Sequence, residues 1–231
     1  MTEIRIDRRY CGPAQSANGG FACGVIASAL PGAVRVRLMA PPPLDTPLVL
    51  ERIDDATAVL RHGETIVGRG ECSDTAPTAP SAPSPADAAR ATLRYTGHQS
   101  HALPECFVCG PSRDAPDGLR IFAGKLDPGG PALAPWRPDA SVCDDGRARL
   151  EVVWAVLDCP GYFGVANPGE AALLGQMTGA VMHRPKEGEA CIAMGWAVER
   201  AGRKLHAGSA LFDEGGRCCG VSEQVWIKPK A

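Results

Sequence analysis

One segment near the N-terminus constrains the fold more than any other. Residues 18–30 begin with Asn-Gly-Gly and continue with residues that are almost all apolar. Asn18 is a favourable helix N-cap, and the Pro31-Gly32 pair ends a helix. A helix that is apolar on every side has to be buried, so the remaining elements of its unit must surround it.

Short runs after this helix predict an antiparallel sheet. Residues 34–39 alternate Val and Leu with Arg, which is the period of a half-buried strand. His62-Gly63-Glu64 is a turn between the last two strands. The strands that we expect in this first unit are 3–10, 34–39, 48–52, 57–61 and 65–72.

A proline-rich stretch follows at residues 76–85. Proline at this density removes backbone donors and favours an extended, semi-rigid spacer, and a short helix over 86–91 follows it. The sequence therefore predicts an N-terminal unit over residues 1–75, a linker over 76–104 and a C-terminal unit over 105–231.

The order of elements recurs after the linker. Residues 151–157 are apolar on nearly all sides and form a buried helix or strand that residues 158–161 stop. Residues 59–68 weakly match 210–220, and 50–52 resemble 198–200. The strands expected in this unit are 119–122, 171–182, 190–200, 204–213 and 218–228, with a hairpin turn at 214–217.

Composition narrows the functional classes. The 24 basic and 26 acidic residues nearly cancel, so the charge gives no reason to expect a nucleic-acid partner. No apolar run approaches the roughly 20 residues of a membrane span, so we expect no membrane partner. No signal peptide is evident, which favours the cytoplasm. Of the ten cysteines, most are expected to be buried thiols, and no disulfide is expected.

Two motifs resemble a known family. Cys106-Phe107-Val108-Cys109-Gly110, followed by Gly118-Leu119, resembles the N-terminal signature of hotdog thioesterases. Asn18-Gly19-Gly20 resembles the His-Gly-Gly that opens the central helix in the same superfamily. The chain is similar to a double-hotdog acyl-CoA thioesterase.

The resemblance implies an α+β tandem hotdog, in which antiparallel sheets each wrap around a central helix. It implies a substrate that is an acyl-CoA or acyl-carrier-protein thioester, and no cofactor beyond the coenzyme A of the substrate. It also leaves room for a homo-oligomer of double-hotdog chains.

The departures from this pattern locate the expected site. Asn18 replaces the histidine, and residues 21–30 carry no carboxylate. The second unit has no Gly-Gly helix start, but Asp158 ends its apolar run. We therefore expect one composite site between the units. Amides at Asn18, Gly19 and Gly20 would bind the oxyanion, and Asp158 would activate water or attack directly.

Other interpretations of these residues stay open. The glycines also permit tight helix packing, and Asp158 is equally consistent with a hydrogen-bonded acid at a helix end. Glu151 is a second candidate acid. The residues expected to contact substrate are Phe21, Gln15 and Glu151.

Cys106 and Cys109 also have the spacing of a metal-binding pair, and His98 and His101 lie just upstream. The family resemblance accounts for the cysteines without a metal, so we expect no zinc.

Three functions remain. The first is thioester hydrolysis, and the second is non-catalytic binding of acyl-CoA or acyl-carrier protein, which the absence of an acid on the first helix favours. The third is hydratase or dehydratase chemistry. It ranks last because no histidine lies near Asp158 or Asn18 in the sequence.

Overall fold

The computed structural model describes residues 1–230 and contains an eleven-stranded sheet. All neighbouring strands in it are antiparallel. The elements before the linker are β1 (Thr2–Ile4), α1 (Gly19–Ala27), β2 (Val34–Leu38), β3 (Leu48–Arg52), β4 (Thr57–His62) and β5 (Thr65–Cys72).

The later elements include a long helix and the longest strands. A small separate hairpin over residues 143–148 precedes the helix. These elements are α2 (Pro85–Thr92), β6 (Gly124–Lys125), β7 (Ala132–Trp136), β8 (Cys143–Asp144), β9 (Arg147–Ala148), α3 (Leu150–Val165), β10 (Leu173–Val181), β11 (Cys191–Ala201), β12 (Lys204–Phe212) and β13 (Cys218–Ile227).

The strand order is the same in both halves of the sheet. It runs β1-β3-β4-β5-β2 in the first half and β7-β11-β12-β13-β10 in the second, with β6 outside β7. β2 and β10, the strands that follow α1 and α3, pair with each other, with Val36 opposite Met177. The two sets of strands therefore meet edge to edge, which gives partners to backbone groups on both inner edges.

The weak sequence matches between the halves fall on equivalent elements. Residues 59–68 lie in the β4–β5 hairpin, and residues 210–220 lie in the β12–β13 hairpin. Residues 50–52 belong to β3 and residues 198–200 to β11, which hold the same position in the strand order.

The first helix forms as the sequence predicts. The Asn18 side chain accepts a hydrogen bond from the Phe21 amide at 2.9 Å, so it caps α1. Most of the helix is buried. It ends at Ala27, before the expected residue 30, because Ala29 and Leu30 continue in tighter turns.

The two buried helices pack antiparallel through glycines of α1. A Cβ on Gly20 would lie 2.5 Å from the Asp158 Cβ, and one on Gly24 would lie 2.6 Å from the Glu151 Cα. Glycines four residues apart share one helix face, so the backbones approach closely along that face. Gly20 thus has a packing role.

The expected stop at residues 158–161 is wrong. α3 continues through Pro160 to Val165. Beside the proline, the Leu157 carbonyl accepts hydrogen bonds from the side chains of Ser209 and Gln224, each at 2.5 Å. Pro160 removes the donor to the Val156 carbonyl, so these donors from the sheet bind the helix backbone one residue further along. Asp158 consequently lies within α3 rather than at its end.

Two expected strands are absent or shorter within residues 1–230. Residues 3–10 form only β1 and a short 3₁₀ turn at Arg8–Tyr10, because the Asp7 carboxylate caps that turn. Residues 119–122 are not a strand. Arg120 has a φ of 53°, and the amide of Ile121 donates to the Val108 carbonyl of a neighbouring loop. The short β6 and β7 form the outer edge instead.

The linker contributes to the fold. Its helix α2 begins after Ser84, whose hydroxyl accepts from the Asp87 amide at 3.0 Å. Ala88 and Ala91 are fully buried against residues such as Leu133 and Phe212. Leu133 packs on α2, whereas the residues on either side of it in β7 pack in the larger core around α1 and α3, so Leu133 lies on the opposite face of the sheet. The helix α2 therefore covers the outer face of the second half of the sheet.

Within residues 1–230, no helix combines the length and apolar character needed to cross a membrane.

Candidate active site

The structure brings Asp158 of α3 to the first residues of α1. One carboxylate oxygen, Oδ2, accepts from the Asn18 side-chain amide at 2.7 Å and from the Gly20 backbone amide at 3.1 Å. The other oxygen, Oδ1, is buried and has no hydrogen-bond partner among the described residues. The carboxylate is therefore held in place with one oxygen available.

Two opposing effects act on the pKa of this carboxylate, and burial is the larger. Burial raises the pKa of Asp158 to about 7, whereas the hydrogen bonds from Gly20 and Asn18 act to lower it. Only 2% of the residue is exposed to solvent. A carboxylate with such a pKa can accept a proton near neutrality.

Of the three amide donors expected to bind the oxyanion, two bind Asp158 instead and one has no acceptor in the described part of the chain. Asn18 and Gly20 bind Asp158. The backbone amide of Gly19 has no acceptor within residues 1–230, and Gly19 lines the adjacent cavity. It lies at the positive end of the α1 dipole, where an oxyanion is stabilised.

A cavity of about 420 Å³ opens at the meeting point of α1 and α3. Asn18, Gly19 and Asp158 line it, and its size suits a small-molecule ligand. Its apolar wall comes largely from α3, β10 and β13: Tyr162, Phe163, Leu174 and Trp226.

Part of the cavity comes from segments to which the sequence interpretation gave no role in the site. Arg94 and His101 belong to the expected linker, and Lys125 belongs to the short β6. Burial lowers the pKa of Lys125, whose ammonium group donates to the Gly164 carbonyl at 2.7 Å. Arg94 and Lys125 have no sequence signal beyond their charge, which surface residues share, and the sequence drew attention to His101 only as a neighbour of the cysteine pair.

The three residues expected to contact substrate lie outside this cavity. Phe21 is buried and stacks on Tyr10, with ring centroids 4.2 Å apart. Gln15 is exposed on a turn. Glu151 forms an ion pair with Arg149 at 3.7 Å. Because α3 is one helix, Glu151 is two turns, or roughly 10 Å, from Asp158.

A cluster of cysteines forms another part of the cavity wall. Cys106 and Cys109 of the loop before β6 meet Cys159 of α3. Hydrogen bonds from the Cys109 and Cys159 thiols hold the pKa of Cys106 well below its usual value. His101 reaches Cys109. His98 packs its ring against Tyr95 instead. All ten cysteines are free thiols in the part of the chain that the structure describes.

Comparisons with known proteins give information on the fold. No protein-family model matches the chain, and no curated protein matches its sequence. The tesB protein of Mycobacterium avium subsp. paratuberculosis is 18% identical, with a TM-score of 0.60 over 94% of this chain and 89% of that chain.

Two further solved structures are similar. A protein of unknown function with a hotdog fold from Alicyclobacillus acidocaldarius is 14% identical, with a TM-score of 0.62 over 99% of this chain and 93% of that one. A Novosphingobium aromaticivorans protein provisionally named a thioesterase is 12% identical, with a TM-score of 0.64 over 99% and 95%.

Identities this low show a common fold and leave the reaction to be argued from the site. The similarity spans nearly the whole chain and agrees with its antiparallel sheet and buried helices. The chain therefore has the hotdog fold that these solved structures share.

Proposed function

We propose that this chain is a tandem double-hotdog protein that hydrolyses acyl thioesters at a single site between its two units. The repeated strand order and the pairing of β2 with β10 support two units, over residues 1–75 and 105–231. The similarity to solved thioesterase-like structures supports the class of reaction.

One observation carries the proposal. A buried carboxylate oxygen without a partner, Asp158 Oδ1, and a backbone amide without an acceptor, at Gly19, belong to residues that line the same cavity. Thioester hydrolysis needs a base or nucleophile and a donor to the oxyanion, and these two groups supply them.

In this mechanism the thioester carbonyl oxygen faces the Gly19 amide. Asp158 takes a proton from water as the water oxygen bonds to the carbonyl carbon. The carbon–sulfur bond then breaks, and the thiolate leaves and takes up a proton. Direct attack by Asp158, followed by hydrolysis of the resulting anhydride, uses the same groups. Both routes place the acyl carbonyl at the start of α1.

The cavity supports an acyl-CoA or acyl-carrier-protein thioester as the substrate. Tyr162, Phe163 and Leu174 offer an apolar surface for an acyl group. Arg94 and Lys125 provide positive charge for the phosphates that both carriers have. No cofactor takes part beyond the carrier itself.

A second function is favoured by a specific contact. Asp158 Oδ2 already holds Asn18 and Gly20, so the carboxylate also ties α3 to α1. In a non-catalytic acyl-CoA or acyl-carrier-protein binding module, that would be its whole role.

A hydratase reaction ranks below both. His101 lines the cavity, but its Nε2 contacts the Cys109 sulfur and its Nδ1 accepts from Leu103.

Turnover of a panel of acyl-CoA thioesters tests the proposal. We expect release of free thiol with at least one acyl length, measured with a thiol reagent after small molecules are separated from the protein. Calorimetry with a non-hydrolysable thioether analogue gives binding separately. Binding without turnover would assign the binding module, and neither binding nor turnover would contradict both functions.

The cytoplasmic location and assembly into a homo-oligomer remain predictions.

A further inference from the structure

The cysteine cluster in the cavity wall brings together three thiols from two distant parts of the chain. The sulfur atoms of Cys106, Cys109 and Cys159 all lie within 4.8 Å of one another, and those of Cys106 and Cys159 are 3.8 Å apart. Thiolates bound to one zinc ion at about 2.3 Å in a tetrahedron are roughly 3.8 Å apart. The sulfurs are thus spaced to share an ion.

The loop that carries two of the cysteines is built for such a geometry. The Gly110 amide donates to the Cys106 carbonyl at 2.8 Å, which closes the turn that holds Cys106 and Cys109 together. A Cβ on Gly110 would lie 2.5 Å from the Cys106 nitrogen, so the turn closes only with glycine there.

Two further side chains lie around the sulfurs. The Asn18 side-chain amide is 3.8 Å from the Cys106 sulfur. His101 Nε2 is 3.3 Å from the Cys109 sulfur, while its Nδ1 accepts from the Leu103 amide at 2.9 Å. A neutral imidazole that accepts at Nδ1 carries its proton on Nε2. His101 is therefore a hydrogen-bond donor to a ligand sulfur rather than a ligand.

We propose that Cys106, Cys109 and Cys159 bind one Zn²⁺ ion through their sulfurs, with the fourth coordination position open to the cavity. Three soft sulfur ligands favour zinc over magnesium or calcium. Each thiol gives up its proton on coordination, and the ion offsets two of the three resulting negative charges. The bound ion fixes the 106–110 loop to α3. This differs from the expectation of no zinc because the sequence does not show that Cys159 joins the pair.

A second group of potential ligands provides a matched control. His183, Asp213 and Cys219 also lie within 4.8 Å of one another. The Asp213 carboxylate is already engaged by the Arg217 side chain at 3.0 Å and by two backbone amides. Cys219→Ser therefore removes a buried thiol of similar surroundings without touching the proposed site.

The experiment is metal analysis of the full chain purified under reducing conditions without chelator. We expect one zinc per chain in the unsubstituted protein and in Cys219→Ser, and a loss of at least tenfold in Cys159→Ser. Circular dichroism checks that each variant is folded. Asp158→Asn should keep its zinc, so this result is separate from the outcome of the hydrolysis tests.

A second measurement uses the unsubstituted protein, in case Cys159→Ser does not fold. Co²⁺ added to chelator-stripped protein should produce an intense sulfur-to-cobalt absorption band that one equivalent of Zn²⁺ abolishes. Absence of both zinc and the cobalt band would overturn the proposal. So would zinc that is lost in Cys219→Ser but kept in Cys159→Ser, or a Cys106–Cys159 disulfide in the reduced preparation.

Discussion

The helices α1 and α3 hold equivalent places in the two halves and have different chemistry. α1 has a side-chain cap at Asn18 and glycines in its first turn, but no carboxylate. α3 begins at Arg149 without a side-chain cap and carries Asp158 in its middle. Each helix supplies what the other lacks, so only the pair forms the candidate site.

The helices also differ in length, which decides where a cavity can form. α1 has 9 residues and α3 has 16. The last two turns of α3 carry Tyr162 and Phe163 of the cavity wall. At the other end of the helix pair, Arg149 donates to the Tyr10 hydroxyl at 2.5 Å and pairs with Glu151. The pair of helices therefore forms one candidate site rather than two.

The largest expected effect is that of removing the acid of α3. Asp158→Asn preserves the shape and can still accept from Asn18 and Gly20, but it cannot serve as base or nucleophile. We expect kcat/KM for the best acyl-CoA to fall by about 10²–10⁴-fold, with binding of the thioether analogue nearly intact.

Glu151→Gln is the control for this variant, because it makes the same change on the same helix outside the cavity. It should retain turnover. Unchanged hydrolysis in Asp158→Asn would remove Asp158 from the mechanism and make it a contact between helices.

A smaller effect is expected from closing the gap between the helices. A Cβ on Gly20 would lie 2.5 Å from the Asp158 Cβ and 2.6 Å from the Trp154 carbonyl oxygen. Gly20→Ala should lower the free energy of unfolding by about 1–3 kcal/mol, as overpacking does elsewhere, and urea denaturation measures it.

Gly215→Ala is the matched control, since a Cβ there meets only Asp213, at 3.4 Å. It should leave stability nearly unchanged. Equal stability of Gly20→Ala and the unsubstituted protein would mean that the backbones of α1 and α3 do not approach as closely as the structure shows.

The smallest effect concerns the cap of α1. Asn18→Ala removes the acceptor for Phe21 and one donor to Asp158. We expect a loss of about 1 kcal/mol of stability, together with a fall in kcat/KM smaller than that of Asp158→Asn.

Ser84→Ala removes the corresponding cap from α2. The Ser84 hydroxyl accepts from the Asp87 amide, and both residues lie outside the cavity. Its loss of stability should be similar, with turnover unchanged. If both variants kept full turnover, Asn18 would be a cap without a role in positioning the carboxylate.

Local sequence patterns predicted the helices and strands that are defined by residues close to one another in the sequence. The capped apolar helix and the strands of both large hairpins follow from N-cap chemistry, period-two alternation and glycine turns. Residues 119–122 were misassigned, because their partner is the 106–109 loop and no local pattern shows it. The expected stop at residues 158–161 was also wrong: α3 continues to Val165, and its contacts there, from Ser209 and Gln224 to the Leu157 carbonyl, come from distant strands.

The sequence by itself determined that the apolar helix must be buried, and it indicated an antiparallel sheet and a recurring order of elements. It also indicated Asp158 as an acid in apolar surroundings. Only the tertiary structure decided which groups meet. The pairing of β2 with β10 and the packing of α1 on α3 bring the Asp158 carboxylate to 2.7 Å from the Asn18 side-chain amide. The sulfur atoms of Cys159 and Cys106 are 3.8 Å apart. Burial and capping leave a periodic signal within a few residues, whereas contacts across 140 positions depend on how whole elements pack.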